Sequence, residues 1–163
     1  MKAQGFIDAA WFTEYGRDRG TKVHQAIEFY DAGDLDEDSL DPVLKPYLAA
    51  WKRFKEEAHV TIEASEVRLA SEVYGFAGTI DKVATIGSTK AILDLKSGQV
   101  QPWTGIQLAA YHILLNEPTR KRYAVQLNND GSYRLHEFKD RSDRAVFLAA
   151  LTIHNWKRRE SGN

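Results

Sequence analysis

The hydrophobic period of this chain changes near residue 60, and that change restricts the fold class more than any other feature. Before it, apolar residues recur every three or four positions. Val23, Ile27 and Tyr30 do so within Thr21 to Asp31, and Leu44, Tyr47, Leu48, Trp51 and Phe54 do so behind Asp41-Pro42. Both patterns predict amphipathic helices, with Thr21 and Asp41 as caps and proline in the first turn of the second. Gly33 and the acidic stretch Asp34 to Asp41 form the loop between them. From Val60 the period is two. Val60–Leu69, Val73–Ala77, Thr79–Ile86 and Lys90–Lys96 read as strands of an antiparallel meander, punctuated by Gly75, Gly78, Gly87 and Gly98. A helix follows from about Trp103 to Leu115, ending before Pro118, and Tyr123–Leu127 and Tyr133–Phe138 form a hairpin around Asn129-Asp130-Gly131. A last helix runs from Ser142 to Lys157 with Val146, Leu148, Ala149 and Ile153 available for packing. This order predicts a mixed α/β fold, a central mixed sheet flanked by helices, in one domain spanning 1–163.

Composition excludes several chemistries. The chain has 163 residues and no cysteine, so disulfides, thiolate zinc sites, iron–sulfur clusters and cysteine nucleophiles are ruled out. A chain this long buries roughly 70% of its unfolded surface and needs no covalent staple. No apolar run approaches the ~20 residues of a membrane span, and Met1 to Ala10 contains Asp8 and lacks a signal-peptide core. A cytoplasmic protein with no membrane partner is expected. The net charge of −1 argues against nucleic-acid binding driven by bulk charge, while acidic metal ligands can offset local basic patches.

The chemistry concentrates in Ile92-Leu93-Asp94-Leu95-Lys96. Strand alternation points Asp94 and Lys96 to one face and Leu93 and Leu95 to the other. Asp-X-Lys alone is common on the wet face of an amphipathic strand. Thirteen residues earlier, however, Asp81 stands among apolar neighbours. If Gly87 and Ser88 turn the chain, Asp81 and Asp94 face each other across one ladder. Two carboxylates that close call for a cation between them. Oxygen ligands favour a hard divalent ion, Mg²⁺ or Mn²⁺, able to hold a phosphate and acidify a water. Lys96 would then meet the developing negative charge. Gln107 and Tyr111, four apart, share a helix face, with Trp103 one turn earlier as either core or a base-stacking platform. His24, at the expected start of the first helix, would be kept neutral by the helix terminus and fit to bind metal, with Glu28 one turn on to orient it. Glu66 opens a strand and adds a carboxylate. Arg17 with Arg19, Arg120-Lys121-Arg122 and Lys157-Arg158-Arg159 are basic groups suited to phosphate or to a solvated surface. His59, His112, His136 and His154 show no site-like spacing.

Taken in order, Gly20-X-X-X-His24, Gly78-Thr79-Ile80-Asp81, Ile92-Leu93-Asp94-Leu95-Lys96 and Gln107-X-X-X-Tyr111 resemble the RecB-like branch of the PD-(D/E)XK nuclease superfamily, over more than half the chain. The resemblance implies a restriction-endonuclease-like core. It implies that His24, Asp81 and Asp94 bind the divalent metal, with the Leu95 carbonyl as a further ligand. Lys96 would be the catalytic lysine, and Gln107 and Tyr111 would support the site and contact DNA. Glu66 falls where many members carry a glutamate. Relatives with a four-cysteine iron–sulfur cluster differ from this chain, and no helicase phosphate-binding motif is present. A compact, phage-type exonuclease acting on DNA ends or single strands in recombination, repair or genome processing is the implied context, releasing 5′-phosphate products, with a recombination or replication protein as partner. A catalytically silent nucleic-acid-binding domain, an RNase and a structure-specific endonuclease stay open as alternatives, as do polarity, metal number and oligomeric state.

Overall fold

The structure, a computed structural model, describes residues 14–162; the segment Met1 to Ala10 considered for a targeting signal lies outside them. Two helices, α1 (Glu14–Ala32) and α2 (Lys45–Glu57), precede three strands, β1 (Val60–Ser71), β2 (Phe76–Ile86) and β3 (Thr89–Lys96). Then come α3 (Thr104–Leu115), β4 (Lys121–Leu127), β5 (Tyr133–Glu137) and α4 (Asp143–Glu160). The strands form one mixed sheet in sequence order. β1, β2 and β3 are an antiparallel meander, α3 carries the chain across to β4, which runs parallel to β3, and β5 returns antiparallel. A parallel neighbour needs such a crossover, whereas the antiparallel pairs are joined by tight turns.

Both sheet faces are covered. On one, Val23 and Ile27 of α1 and Tyr47, Trp51 and Phe54 of α2 pack with Ala84, Ala91, Leu93, Leu95 and Val125. On the other, Leu108 and Tyr111 of α3 pack with Ile80, Val83 and Ile92. α4 lies on α3 and buries Phe147, whose ring meets Phe76 edge-on at 4.9 Å. β3 is therefore buried from both sides, which makes the charges at its end costly and specific in placement. Among the described residues, no helix is long and apolar enough to cross a membrane.

Several expectations are corrected. α1 begins seven residues before Thr21, which sits inside the helix and donates to the Arg17 carbonyl instead of capping. His24 is consequently mid-helix, and the helix-terminus argument for its neutrality falls away. Asp41 accepts from Val43 N and closes a turn, and α2 starts only at Lys45. The two strands expected over 73–77 and 79–86 are one, β2, because Gly78 continues the strand. A Cβ there would stand 3.1 Å from Leu114 and 3.5 Å from Tyr111, so the glycine admits α3 to the sheet. Val73 is in the β1–β2 turn and 88% exposed. On α4 the buried residue is Phe147, while Val146 and Ile153 of the expected packing face are exposed. Arg120 and Arg122 are neither solvated nor free for phosphate. They are buried on Glu63 and Glu117, and on Asp143 and two carbonyls, respectively.

Candidate metal centre

The β2–β3 turn sets the geometry. Ile86 pairs with Thr89 and Lys82 with Leu93, and the same register continued by one residue puts Asp81 opposite Asp94. The ladder closes there differently: the Leu95 amide donates to Asp81 Oδ2 at 2.8 Å. Asp94 is 1% exposed, and its Oδ2 lies 2.7 Å from Lys96 Nζ, on the same strand face as predicted by alternation. That contact is an ion pair outside hydrogen-bond geometry, so Asp94 Oδ2 is a buried oxygen without a hydrogen-bond partner among the described residues.

Across β2, the β1 ladder is interrupted at Glu66. Ser65 pairs with Lys82 and Val67 with Ile80, and Glu66 between them has φ +49°. A left-handed glutamate in mid-strand is strained. Its carboxylate is turned toward α1, where His24 waits: His24 Nδ1 lies 4.0 Å from Glu66 Oε1 and 3.8 Å from Asp81 Oδ2. The other ring nitrogen, Nε2, is 2.9 Å from the Leu95 carbonyl. Ligand-type atoms of His24, Glu66 and Asp81 thus lie within 4.8 Å of one another. α1, β1 and β2 each supply one. Glu66, which reads in sequence as an ordinary residue opening a strand, lies mid-strand and within the cluster. Asp94 stands behind it against Asp81, and Glu28 is further along α1 on the same cleft, while His24 is held by the Leu95 carbonyl instead.

The electrostatics are those of a site short of positive charge. Burial, and then the charge of Asp94, push the Asp81 carboxyl up to about 7, although His24, the Leu95 amide and Lys96 pull it down. Burial likewise pushes the Tyr111 hydroxyl up, reinforced by Asp81 and Asp94. Gln107 Nε2 donates to that hydroxyl at 2.7 Å, so this helical pair backs onto the two aspartates. A divalent cation fits this set of residues: the carboxylates of Glu66 and Asp81 converge with the His24 imidazole, and Asp81 is raised by burial and by the charge of Asp94, a repulsion that a cation relieves.

The cluster opens on a cleft of about 1070 Å³. Arg17, Arg19 and His24 of α1 stand on one wall, Glu66 and Arg68 on another, and Lys96 and Trp103 also line it. Lys96 Nζ stands 5.6 Å from the Trp103 ring centre, and Arg19 donates to the Ser97 carbonyl at 3.2 Å. Arg68 escaped the sequence reading because nothing in its spacing separates it from other exposed strand cations. Lys82, between Asp81 and Val83, points the other way and is buried against Asp31 at 2.8 Å.

No protein-family model and no curated protein sequence matches the chain. Among solved structures it is similar to the "Putative exonuclease" from Eubacterium rectale, with TM-score 0.61 and 15% identity over 88% of this chain and 68% of that one. A protein designated SSO0001 overlays with TM-score 0.40 at 13% identity, covering 85% of this chain and 74% of its own. The first likeness shows a shared fold. In this chain that fold is a five-stranded mixed sheet flanked by helices, and the cluster of His24, Glu66 and Asp81 lies where α1 meets β1 and β2.

Proposed function

We propose that the chain is a divalent-metal-dependent deoxyribonuclease of the RecB-like branch of the PD-(D/E)XK superfamily, acting as an exonuclease on DNA ends. The observation that carries this reading is the convergence of His24, Glu66 and Asp81 within 4.8 Å, beside a lysine paired to a second buried aspartate at 2.7 Å. The fold shared with a protein bearing an exonuclease name supports it.

His24, Glu66 and Asp81 would hold Mg²⁺ or Mn²⁺, with Asp94 and the Leu95 carbonyl as further oxygen donors. The ion would supply Lewis acidity at a phosphate oxygen and a more acidic water. Asp94 keeps the Lys96 ammonium at the cleft, where it can meet charge developing on the phosphate. Tyr111, hydrogen-bonded by Gln107, would support the two aspartates from behind. Trp103 gives a base a surface to stack on, and Arg17 and Arg19 offer phosphate contacts. DNA is the partner, with 5′-phosphate ends as product.

End-labelled linear DNA and closed circular DNA, each incubated with Mg²⁺ or Mn²⁺, test this. The reading predicts metal-dependent, EDTA-sensitive loss of linear DNA with mononucleotide release and survival of the circle. Binding without cleavage in either metal would overturn it, and cutting of the circle would replace the exonuclease with an endonuclease.

A further inference from the structure

A second cavity, of about 360 Å³, lies apart from the cleft, where the C-terminal half of α3, the start of β4, the end of β5 and the start of α4 meet. Six cationic side chains line it, with two carboxylates, Glu137 and Asp140. The acids are already engaged. Glu137 is shared by Lys121 at 3.3 Å and Lys139 at 3.2 Å, and Asp140 Oδ1 accepts from the Ser142 amide. The buried Arg120 and Arg122 are neutralised from outside the cavity by Glu63, Glu117 and Asp143. Arg141 and Arg144 are left facing the cavity, exposed and, among the described residues, in no ion pair. In a chain of net charge −1 this is a concentrated positive spot, and a concave, low-dielectric wall focuses its field on an anion.

We propose that this cavity binds a phosphate group through Arg141 and Arg144. The volume lies at the lower end of small-ligand pockets and far above that of one water, and guanidinium groups suit phosphate oxygens. Its occupant is a DNA backbone phosphate held away from the cutting cleft; that identity rests on the nuclease reading, while the cavity's affinity for phosphate does not.

The variant R141Q/R144Q tests it, since both side chains are exposed and neither removes an ion pair; matched circular dichroism spectra verify the fold. Two arms separate the phosphate sources. In the first, a fluorescent duplex oligonucleotide is titrated in Ca²⁺ across a range of KCl. The variant is expected to bind at least tenfold more weakly, with a salt slope shallower by about 1 to 2. In the second, inorganic phosphate is added and the melting temperature followed; wild type is expected to rise and the variant not. Loss in the second arm alone keeps the phosphate site and assigns it to free phosphate. Equal behaviour of variant and wild type in both arms overturns the proposal. Hydrolysis of bis(p-nitrophenyl) phosphate in Mn²⁺ is read alongside and is expected to be equal in both proteins. A wild type inactive in that assay would count against the nuclease reading and leave the two binding arms decisive for the cavity.

Discussion

The Leu95 amide donates to Asp81 Oδ2 at 2.8 Å, which ties a carboxylate of β2 to the strand carrying Asp94 and Lys96. The two acids therefore cannot separate to relieve their repulsion without breaking that amide–carboxylate hydrogen bond. The structure holds a position of high negative potential, and His24 and Lys96 only partly offset it.

Removing either member of the Asp94–Lys96 pair should abolish catalysis without releasing DNA. Asp94→Ala and Lys96→Ala are each expected to lower the rate of linear-DNA digestion at least about 10²-fold, the scale for loss of a direct electrostatic contributor. Duplex affinity measured in Ca²⁺ should stay within a few-fold of wild type. A variant that keeps full activity removes that residue from the reaction.

The raised Asp81 makes the metal-free protein pH-sensitive. Its folded carboxyl titrates near 7 instead of the ordinary 3.8, so between those values the folded state holds a proton that the unfolded state has released. Stability from this group is complete below the unfolded value and is lost as pH rises through about 7. Urea unfolding in EDTA should show a fall in stability from pH 5 to pH 8 that Asp81→Asn removes and saturating Mn²⁺ reverses.

Glu66 trades stability for position. Its φ of +49° costs of the order of 1–3 kcal/mol for a residue with a side chain, and glycine has no such penalty but gives up some unfolded-state entropy. Glu66→Gly should leave the metal-free protein as stable as wild type or up to about 1 kcal/mol more so, where an ordinary strand residue changed to glycine destabilises. Mn²⁺ affinity by calorimetry should fall at least about tenfold.

Beneath the site, Lys82 is buried on Asp31 at 2.8 Å and donates to Ser65 Oγ at 2.9 Å. Burial raises the Asp31 carboxyl, but hydrogen bonds from Lys55, Lys82 and Trp51 outweigh it and hold it below its ordinary range. Asp31→Ala strands the buried lysine and should cost about 3–5 kcal/mol. Lys82→Met should cost less, because Asp31 keeps Lys55 at 2.7 Å and the Trp51 indole at 3.1 Å. Denaturant unfolding of both variants checks the order.

What was legible in sequence follows from periodicity. The change of period located the sheet, and Gly87-Ser88 set a hairpin register that brings the strand of Asp81 beside that of Asp94, pairing as far as Lys82 and Leu93. The four-residue spacing put Gln107 and Tyr111 on one helix face, where the structure adds a hydrogen bond between them. Features decided by packing were hidden. α1 runs through Gly16 and Gly20, whose low helix propensity is overridden by tertiary contacts. Gly78 resembles a breaker until α3 is placed against it. Glu66 alternates as a solvent-facing residue would, and only its left-handed backbone turns it to His24. Lys82 and Arg122 look like surface charges because their partners, Asp31 and Asp143, are distant in sequence.

The central claim is that one cation sits among His24, Glu66 and Asp81. Crystals soaked in Mn²⁺ and measured at an anomalous wavelength test it directly. The account predicts a peak at about 2.0–2.2 Å from an Asp81 carboxylate oxygen, distances typical of small divalent ions, with His24 and Glu66 as neighbours. A peak elsewhere on the surface, or none at saturating Mn²⁺, would contradict it.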